Sequence, residues 1–370
     1  MILKELNITN YKNIEEAKIK CSPGVNCFVG NNGMGKTNIL DAIYYLSFGK
    51  SYTNLNDAMT IRHDASFMML SAEYARKGEP VNVSVALQPG KRKTIRRDGK
   101  DYKRLSEHIG LLPVVMVSPM DWDLIRGAGE ERRRLMDTVI SQSSSEYLAT
   151  LIRYNKAVEQ RNSMIRQGYR DPLLYAAVEQ MICAAAKFIH QSRKDWISEF
   201  SPIFMRYYQA IADNGEVVRL EYCSQLNQQS MEQLLEANRE RDFAIGYTTK
   251  GTQRDDIELM LGDHSMRRTG SQGQCKTYTI ALRLAQYEFL KTVSHVKPIL
   301  LLDDIFDKLD SHRVENIIKV AAGSEFGQIF VTDTNREHID EIINRIRGDY
   351  KLMNVDHGTI SEIASNSTPS

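Results

Sequence analysis

The chain has 370 residues, 42% hydrophobic and 26% charged, with a formal net charge of +1. These are the proportions of a globular protein with room for two domains, and the near-zero charge confines any nucleic-acid contact to local patches. No apolar run of about 18 residues marks a membrane span, residues 1–6 lack a secretory pattern, and five scattered cysteines (21, 27, 183, 223, 275) without a C-x-x-C fit reduced thiols in a cytoplasm, not a zinc site or disulfide frame.

From residue 1 to about 120 the pattern is strand-rich. Leu3, Leu6 and Ile8 alternate, and residues 25–29 form a short apolar strand. Gly30-Asn31-Asn32-Gly33-Met34-Gly35-Lys36-Thr37 follows it and fits the phosphate-binding pattern G-x-x-x-x-G-K-[ST]. Glycines let consecutive backbone N–H groups turn inward around a polyphosphate, Lys36 reaches the β/γ-phosphates, and the Thr37 hydroxyl is placed to ligate Mg²⁺. Ile39, Leu40, Ile43, Tyr44 and Leu46 continue at helical spacing, so a helix N-terminus points at the phosphates. Val81, Val83, Val85 and Leu87 form another strand. Residues 91–104 hold eight basic and two acidic residues around Asp98-Gly99, a hairpin turn signal. Lys91, Arg92, Lys93, Arg96, Arg97, Lys100, Lys103 and Arg104 suit either a DNA backbone or a solvated, charge-protected sheet edge.

Residues 130–142, 145–167 and 172–212 read as long helices, the last with Asp171-Pro172 as its start and Asn214-Gly215 as its stop. Arg132, Arg133 and Arg134 sit at a helix start, where cations oppose the dipole, so an acidic partner or inter-domain ion pairing is expected there. Arg153, Arg161 and Arg166 read as a solvated face. Gly270-Ser271-Gln272-Gly273-Gln274 is a small polar turn before a helix, either a cap or an anion-binding helix start. The apolar strand 299–302 ends in Asp303-Asp304. Beside a phosphate loop, Asp303 is assigned to Mg²⁺ and Asp304 to the attacking water. A helix is expected over 311–322, a strand over 328–331, and a frayed end after 358.

The distance in sequence between the loop at 30–37 and its acidic strand predicts an α/β ATPase domain built from both ends (1–120 and 246–358). A mainly helical domain is inserted at 121–245, and a flexible tail covers 359–370.

The order of motifs resembles the ATP-binding-cassette ATPases. That resemblance implies that Ser271, Gln272, Gly273 and Gln274 meet the γ-phosphate held by another subunit, that Leu309-Asp310 is a D-loop, and that two ATP molecules lie in a head-to-tail homodimer. Further motifs narrow the family. Asn10-Tyr11-Lys12-Asn13, the loop through Asn38, Ser118-Pro119 and Asp121 with Leu124-Ile125 and Gly127, Arg132-Arg133 with Leu135-Met136-Asp137, Gly251 with Arg254-Asp255-Asp256, and Leu300 through Asp304 resemble RecF proteins, relatives of SMC heads. Thr252 and Gln253 depart from that pattern, as does Asn54 in the tract 51–54. Thr332-Asp333-Thr334 stands where many cassette ATPases have a switch histidine. The resemblance implies an ATP- and Mg²⁺-dependent DNA-binding protein, in the cytoplasm, with weak DNA-dependent ATPase activity. It would clamp double-stranded DNA near single-strand/double-strand junctions and help RecR and RecO place RecA on gaps. With it, the hairpin at 91–104 reads as a DNA contact. The competing classes are an energy-coupling ATPase that does not act on DNA, a cassette-type nuclease and a small-molecule kinase. The inserted region disfavours the first, the short segment after Asp333 the second, and the turn at 270–274 the third.

Overall fold

Strands buried on both faces are mainly apolar along their whole length, and four such strands form the centre of the first of two units in this protein. The computed structural model describes residues 1–366 except Asn54, Asp307, Lys308, Ala322, Ser324, Ile346 and Arg347. The first unit comprises Met1–Asp121, Tyr207–Asn214 and the chain from Gln272 onward; the second comprises Trp122–Arg206 and Gly215–Ser271. In chain order the first contributes β1 (Ile2–Tyr11), β2 (Ile14–Lys20), β3 (Val25–Val29), α1 (Lys36–Phe48), β4 (Met68–Arg76), β5 (Glu79–Leu87), β6 (Thr94–Arg97), β7 (Lys100–Asp101) and β8 (Val114–Val117). Then come α2 (Trp122–Arg126), α3 (Gly129–Ser143), α4 (Ser145–Arg166), α5 (Pro172–Ala212), β9 (Val218–Cys223), α6 (Met231–Ala237), α7 (Arg239–Ile245), β10 (Asp256–Leu261), β11 (His264–Ser265) and α8 (Met266–Thr269). The chain closes with α9 (Gln272–Ser294), β12 (Ile299–Asp303), α10 (Ser311–Ala321), β13 (Ile329–Asp333), α11 (Arg336–Arg345), β14 (Tyr350–Asp356) and β15 (Thr359–Asn366).

In the first unit, β14, β3, β13, β12 and β8 run parallel in that order, with β15 antiparallel at the edge beside β14. A second, antiparallel sheet has the order β2-β1-β4-β5-β6-β7. Helix α1 packs against strands of both sheets. That explains its composition: Ile39, Leu40, Ile43, Tyr44, Tyr45, Leu46 and Phe48 are buried around its whole circumference. Phe28 and Phe330 stack across neighbouring strands, with centroids 6.5 Å apart. Residues 359–366, expected to fray, instead form β15, paired with β14 from Asp356↔Thr359 to Tyr350↔Asn366. Edge pairing needs backbone hydrogen bonds and little apolar burial, so the tract carries few large apolar residues. Residues 367–370, the remainder of the expected tail, lie outside the described residues, as do Ala322 and Asn54.

The second unit is not helical alone. Strands β9, β10 and β11 form an antiparallel sheet in the order β11-β10-β9, and the unit extends to Ser271, past the boundary expected at 245. Ion pairs hold this addition to the helices. Arg193 of α5, 1% exposed, donates to Asp255 Oδ2 (2.6 Å), the Thr252 carbonyl (2.8 Å) and Asp137 Oδ1 (2.8 Å). Tyr147 and Tyr222 complete the group through Asp137 and Asp255, both at 2.6 Å. Arg161, expected on a solvated face, is fully buried and bound to Asp242 (2.7 Å), Thr248 (2.9 Å) and Glu179 (3.0 Å). Helical spacing alone does not separate a salt-bridged interior arginine from a surface one. By length and composition α5 is the one described helix that could cross a membrane; its Arg193 is buried in the ion pairs just given.

Truncating one partner of a buried ion pair strands the other charge at a cost of about 3–5 kcal/mol. Arg193→Met is therefore expected to lower stability by about that amount in urea unfolding. A loss below about 1 kcal/mol would remove the pair from the determinants of the unit.

Candidate functional site

Register between parallel strands assembles the site. Val29 stands opposite Asp333, and Thr332 stands opposite Asp303. The loop that leaves β3 and the carboxylates that end β12 and β13 thus emerge side by side at one sheet edge, where open α/β sheets bind ligands. Gly30 (φ 154°) lets the loop leave β3 tight against β14: a Cβ there would lie 2.3 Å from the Val355 carbonyl oxygen. Gly35 (φ 111°) caps α1 in a left-handed conformation, and a Cβ would strike the Asn13 side chain at 2.8 Å.

Lys36 is buried, and its Nζ donates to the carbonyls of Gly30 (2.7 Å) and Asn31 (2.9 Å), so the loop wraps its own ammonium group. Burial lowers its pKa, and Asp304, Asp303 and Asp333 oppose that effect. Thr37 Oγ1 donates to both oxygens of Asp303, at 2.9 and 3.1 Å, joining residues 266 positions apart in sequence. Thr332 Oγ1 donates to Asp303 Oδ1 at 2.7 Å. Burial raises the Asp303 carboxyl above the usual range, and the Thr332 and Thr37 hydroxyls counter it. The next residue, Asp304, turns off the strand at φ 47°, and its N–H donates to the carbonyl and hydroxyl of Thr332, both at 3.2 Å. Asn31, Asn32 and Gly33 are exposed, while Met34 is half-buried beside the β14–β15 turn, where the Gly358 N–H donates to its carbonyl at 2.9 Å. The donor set of Thr37 and Asp303 fits Mg²⁺ bound as a nucleotide complex, in which phosphate and water oxygens fill most positions.

Beneath the loop lies a polar centre absent from the sequence reading. Asp41 of α1 is fully buried and accepts from Tyr11 (2.7 Å), Lys12 (2.6 Å), Ser51 (2.7 Å) and the Tyr52 N–H (2.6 Å). Asn38 donates to Asn13 at 2.7 Å. The motif at 10–13 thereby grips the loop and its helix from below. A second centre is Asp121, which accepts from Arg283 of α9 (2.6 Å), from the Ser118 N–H (3.0 Å) and from Tyr52. The available signal was a lone acid inside the apolar run of α1; nothing local marked Arg283.

Gln272, Gly273 and Gln274 begin α9, and Ser271, immediately before it, is exposed. A Cβ on Gly273 would lie 2.5 Å from Arg313 Nη1, and Arg313 pairs with Asp310 at 3.1 Å. Gly273 and Asp310 are therefore gathered in a group of their own. The basic hairpin forms a third group, with Asp98 (φ 49°) and Gly99 (φ 77°) turning β6 into β7 at a sheet edge. Lys93 departs from its expected role there. Its ammonium is turned inward to Asp57 and the Gly49 carbonyl, both at 2.6 Å. Arg96 pairs with Asp101 (2.6 Å), Arg97 with Asp98 (3.3 Å), and Arg92 donates to the Lys103 carbonyl (3.3 Å). Lys91, Lys100, Lys103 and Arg104 are exposed. Of the three arginines at 132–134, Arg132 forks onto Asp256 (2.7 and 2.9 Å) and Arg133 donates to the Asp255 carbonyl (2.8 Å), both inside the second unit. Arg134 pairs with Glu131 and Glu130 at 3.0 and 3.3 Å.

Comparison with known proteins gives the family and the fold. The family described as RecF/RecN/SMC N terminal domain matches residues 2–357. The DNA replication and repair protein RecF of Phocaeicola vulgatus is 48% identical over 98% of both chains, and that of Bacteroides thetaiotaomicron is 47% identical over 99% of this chain and 100% of the relative. A solved structure of the recombination mediator protein RecF-ATP in the RecFOR pathway superposes with a TM-score of 0.88 at 23% identity, covering 98% of each chain. An Smc head domain from Pyrococcus furiosus gives 0.59 at 18% identity, covering 99% of this chain and 96% of that one. The fold is thus that of an ABC-type ATPase head carrying a second domain, and the chain belongs to the RecF family.

Proposed function

We propose that this protein is an ATP-dependent DNA-binding protein of recombinational gap repair. The observation that carries the reading is the meeting of Thr37 and Asp303 at 2.9 Å beside a loop of glycines and a buried lysine. The loop, turned by the positive φ of Gly30, Gly33 and Gly35, would present N–H groups to a triphosphate, and Lys36 would exchange its loop carbonyls for phosphate oxygens. Thr37 and Asp303 would hold Mg²⁺, which supplies charge neutralisation at the β- and γ-phosphates when bound. Asp304, adjacent and turned off the strand, would orient the attacking water.

The name and pathway of the relatives support a role in DNA repair. By that kinship ATP joins two copies head to tail, with Ser271 to Gln274 of one and Asp310 beside them closing on the nucleotide of the other. The dimer clamps duplex DNA near single-strand/double-strand junctions in the cytoplasm, assists RecR and RecO in placing RecA, and is released by slow hydrolysis. Lys91, Arg92, Arg96, Arg97, Lys100, Lys103 and Arg104 offer a cationic edge that contributes affinity without sequence preference; Lys93 braces that edge from inside.

Gel shift on gapped duplex separates this reading from an energy-coupling ATPase. ATP, but not ADP, is expected to produce binding that falls steeply with salt, and Lys36→Ala is expected to abolish it. Binding equal in all nucleotide states and in Lys36→Ala would overturn the reading. Asp303 offers a second check. Its buried carboxylate costs the fold free energy, so Asp303→Asn is expected to keep or raise the thermal midpoint of the nucleotide-free protein while abolishing ATP hydrolysis. A lowered midpoint with unchanged turnover would place Asp303 in the scaffold instead.

A further inference from the structure

Helix α8 is only four residues long, and Gly270 follows it. One side chain reaches two carbonyls here: Arg126 Nη2 donates to that of Gly270 at 2.7 Å, and Nη1 donates to that of Arg267. The guanidinium lies over the Trp122 ring, 5.5 Å from its centroid, which restricts its swing. Arg126 is itself anchored. The end of α2 is held by Arg132, which donates to the carbonyls of Leu124 (2.9 Å) and Gly127 (3.2 Å) while forking onto Asp256 of β10. From Asp256 the chain runs through β10 and β11 to α8 and back to Gly270. The contacts form a closed ring within the second unit, from Arg126 through Arg132 and Asp256 to the turn that Arg126 clasps. Ser271, exposed, is the next residue out of that ring.

We infer that Arg126 is a positioning residue for the turn at 270–271, fixing the direction in which Ser271 is presented to a nucleotide held by a second copy of the chain; this rests on the head-to-tail reading above. A rigid support under a contact made in trans is needed because displacement of about 1 Å can cost on the order of 100-fold in rate. Arg126 acts through the turn at 270–271, so its loss is expected to impair the neighbour's site while the phosphate loop at 30–37 keeps its own contacts.

The test mixes subunits. Arg126→Ala is expected to bind ATP with wild-type affinity in titration with a fluorescent ATP analogue, while kcat falls on the order of 100-fold. Lys36→Ala is inactive through its own loop but keeps an intact turn. A 1:1 mixture of the two is expected to recover about a quarter of the wild-type rate, because half of randomly paired two-fold dimers contain one complete site. Arg126→Lys, which retains the cation and a donor for one carbonyl, is expected to show an intermediate kcat and the same recovery on mixing, and it serves where the alanine variant does not fold. Ser271→Arg mixed with Lys36→Ala is the control. If the control recovers and both Arg126 mixtures stay inactive, or if Arg126→Ala turns over at the wild-type rate alone, the positioning role is overturned and the head-to-tail reading stands. If the control does not recover, the head-to-tail reading itself falls.

Discussion

Three parallel strands held in one register are the constraint on which the candidate site depends. Val29 opposite Asp333 and Thr332 opposite Asp303 bring a loop from one end of the chain to a carboxylate from the other. A slip of one residue in β12 would turn Asp303 to the opposite face of the sheet and away from Thr37. The register is secured by burial on both faces. Strands β3, β8, β12 and β13 consist entirely of buried positions, so any other alignment exposes apolar surface or buries charge. Helix α1 extends the same constraint into the antiparallel sheet, because every residue from Ile39 to Phe48 is buried.

Around that frame, buried acids join the remaining pieces, and each gathers donors from distant segments. Asp41 joins residues 11–12 to residues 51–52; Asp121 joins Tyr52 to Arg283 on α9; in the second unit the buried Asp255 and the half-buried Asp137 share Arg193 on α5. A buried carboxylate is tolerated only when several donors satisfy it, so each of these acids dictates the placement of more than one element. The motif Asp255-Asp256 shows the consequence. In the sequence it stands as part of a family motif with Gly251 and Arg254, and in the structure its carboxylates are held by Arg193, Tyr222 and Arg132 inside the second unit. The same logic accounts for Lys93, which counts as one more positive charge in a basic hairpin but lies against Asp57.

Local chemistry made much of this legible. The loop at 30–37 announced itself because glycine spacing, lysine and threonine are dictated by the ligand and need no tertiary context. The hairpin at 94–101 followed from Asp98-Gly99, which tolerates the positive φ that both turn residues adopt. The long helices 145–166 and 172–212 followed from apolar periodicity and from Asp171-Pro172. Elements defined by partners were less legible. Residues 359–366 form a strand because β14 offers them an edge, the boundary expected at 245 moved to 271 because β10 pairs with β9, and Arg161 is interior because Asp242 and Glu179 reach it.

The amino-acid sequence by itself determined the phosphate-loop pattern at 30–37 and the acid-ended apolar strand at 299–304, since both lie in residue type and spacing over a few consecutive positions. Tertiary structure alone decided which arginines are interior struts and which carbonyls Arg126 clasps. Those outcomes depend on strand register and on the desolvation of charge, and neither quantity exists until remote segments pack together.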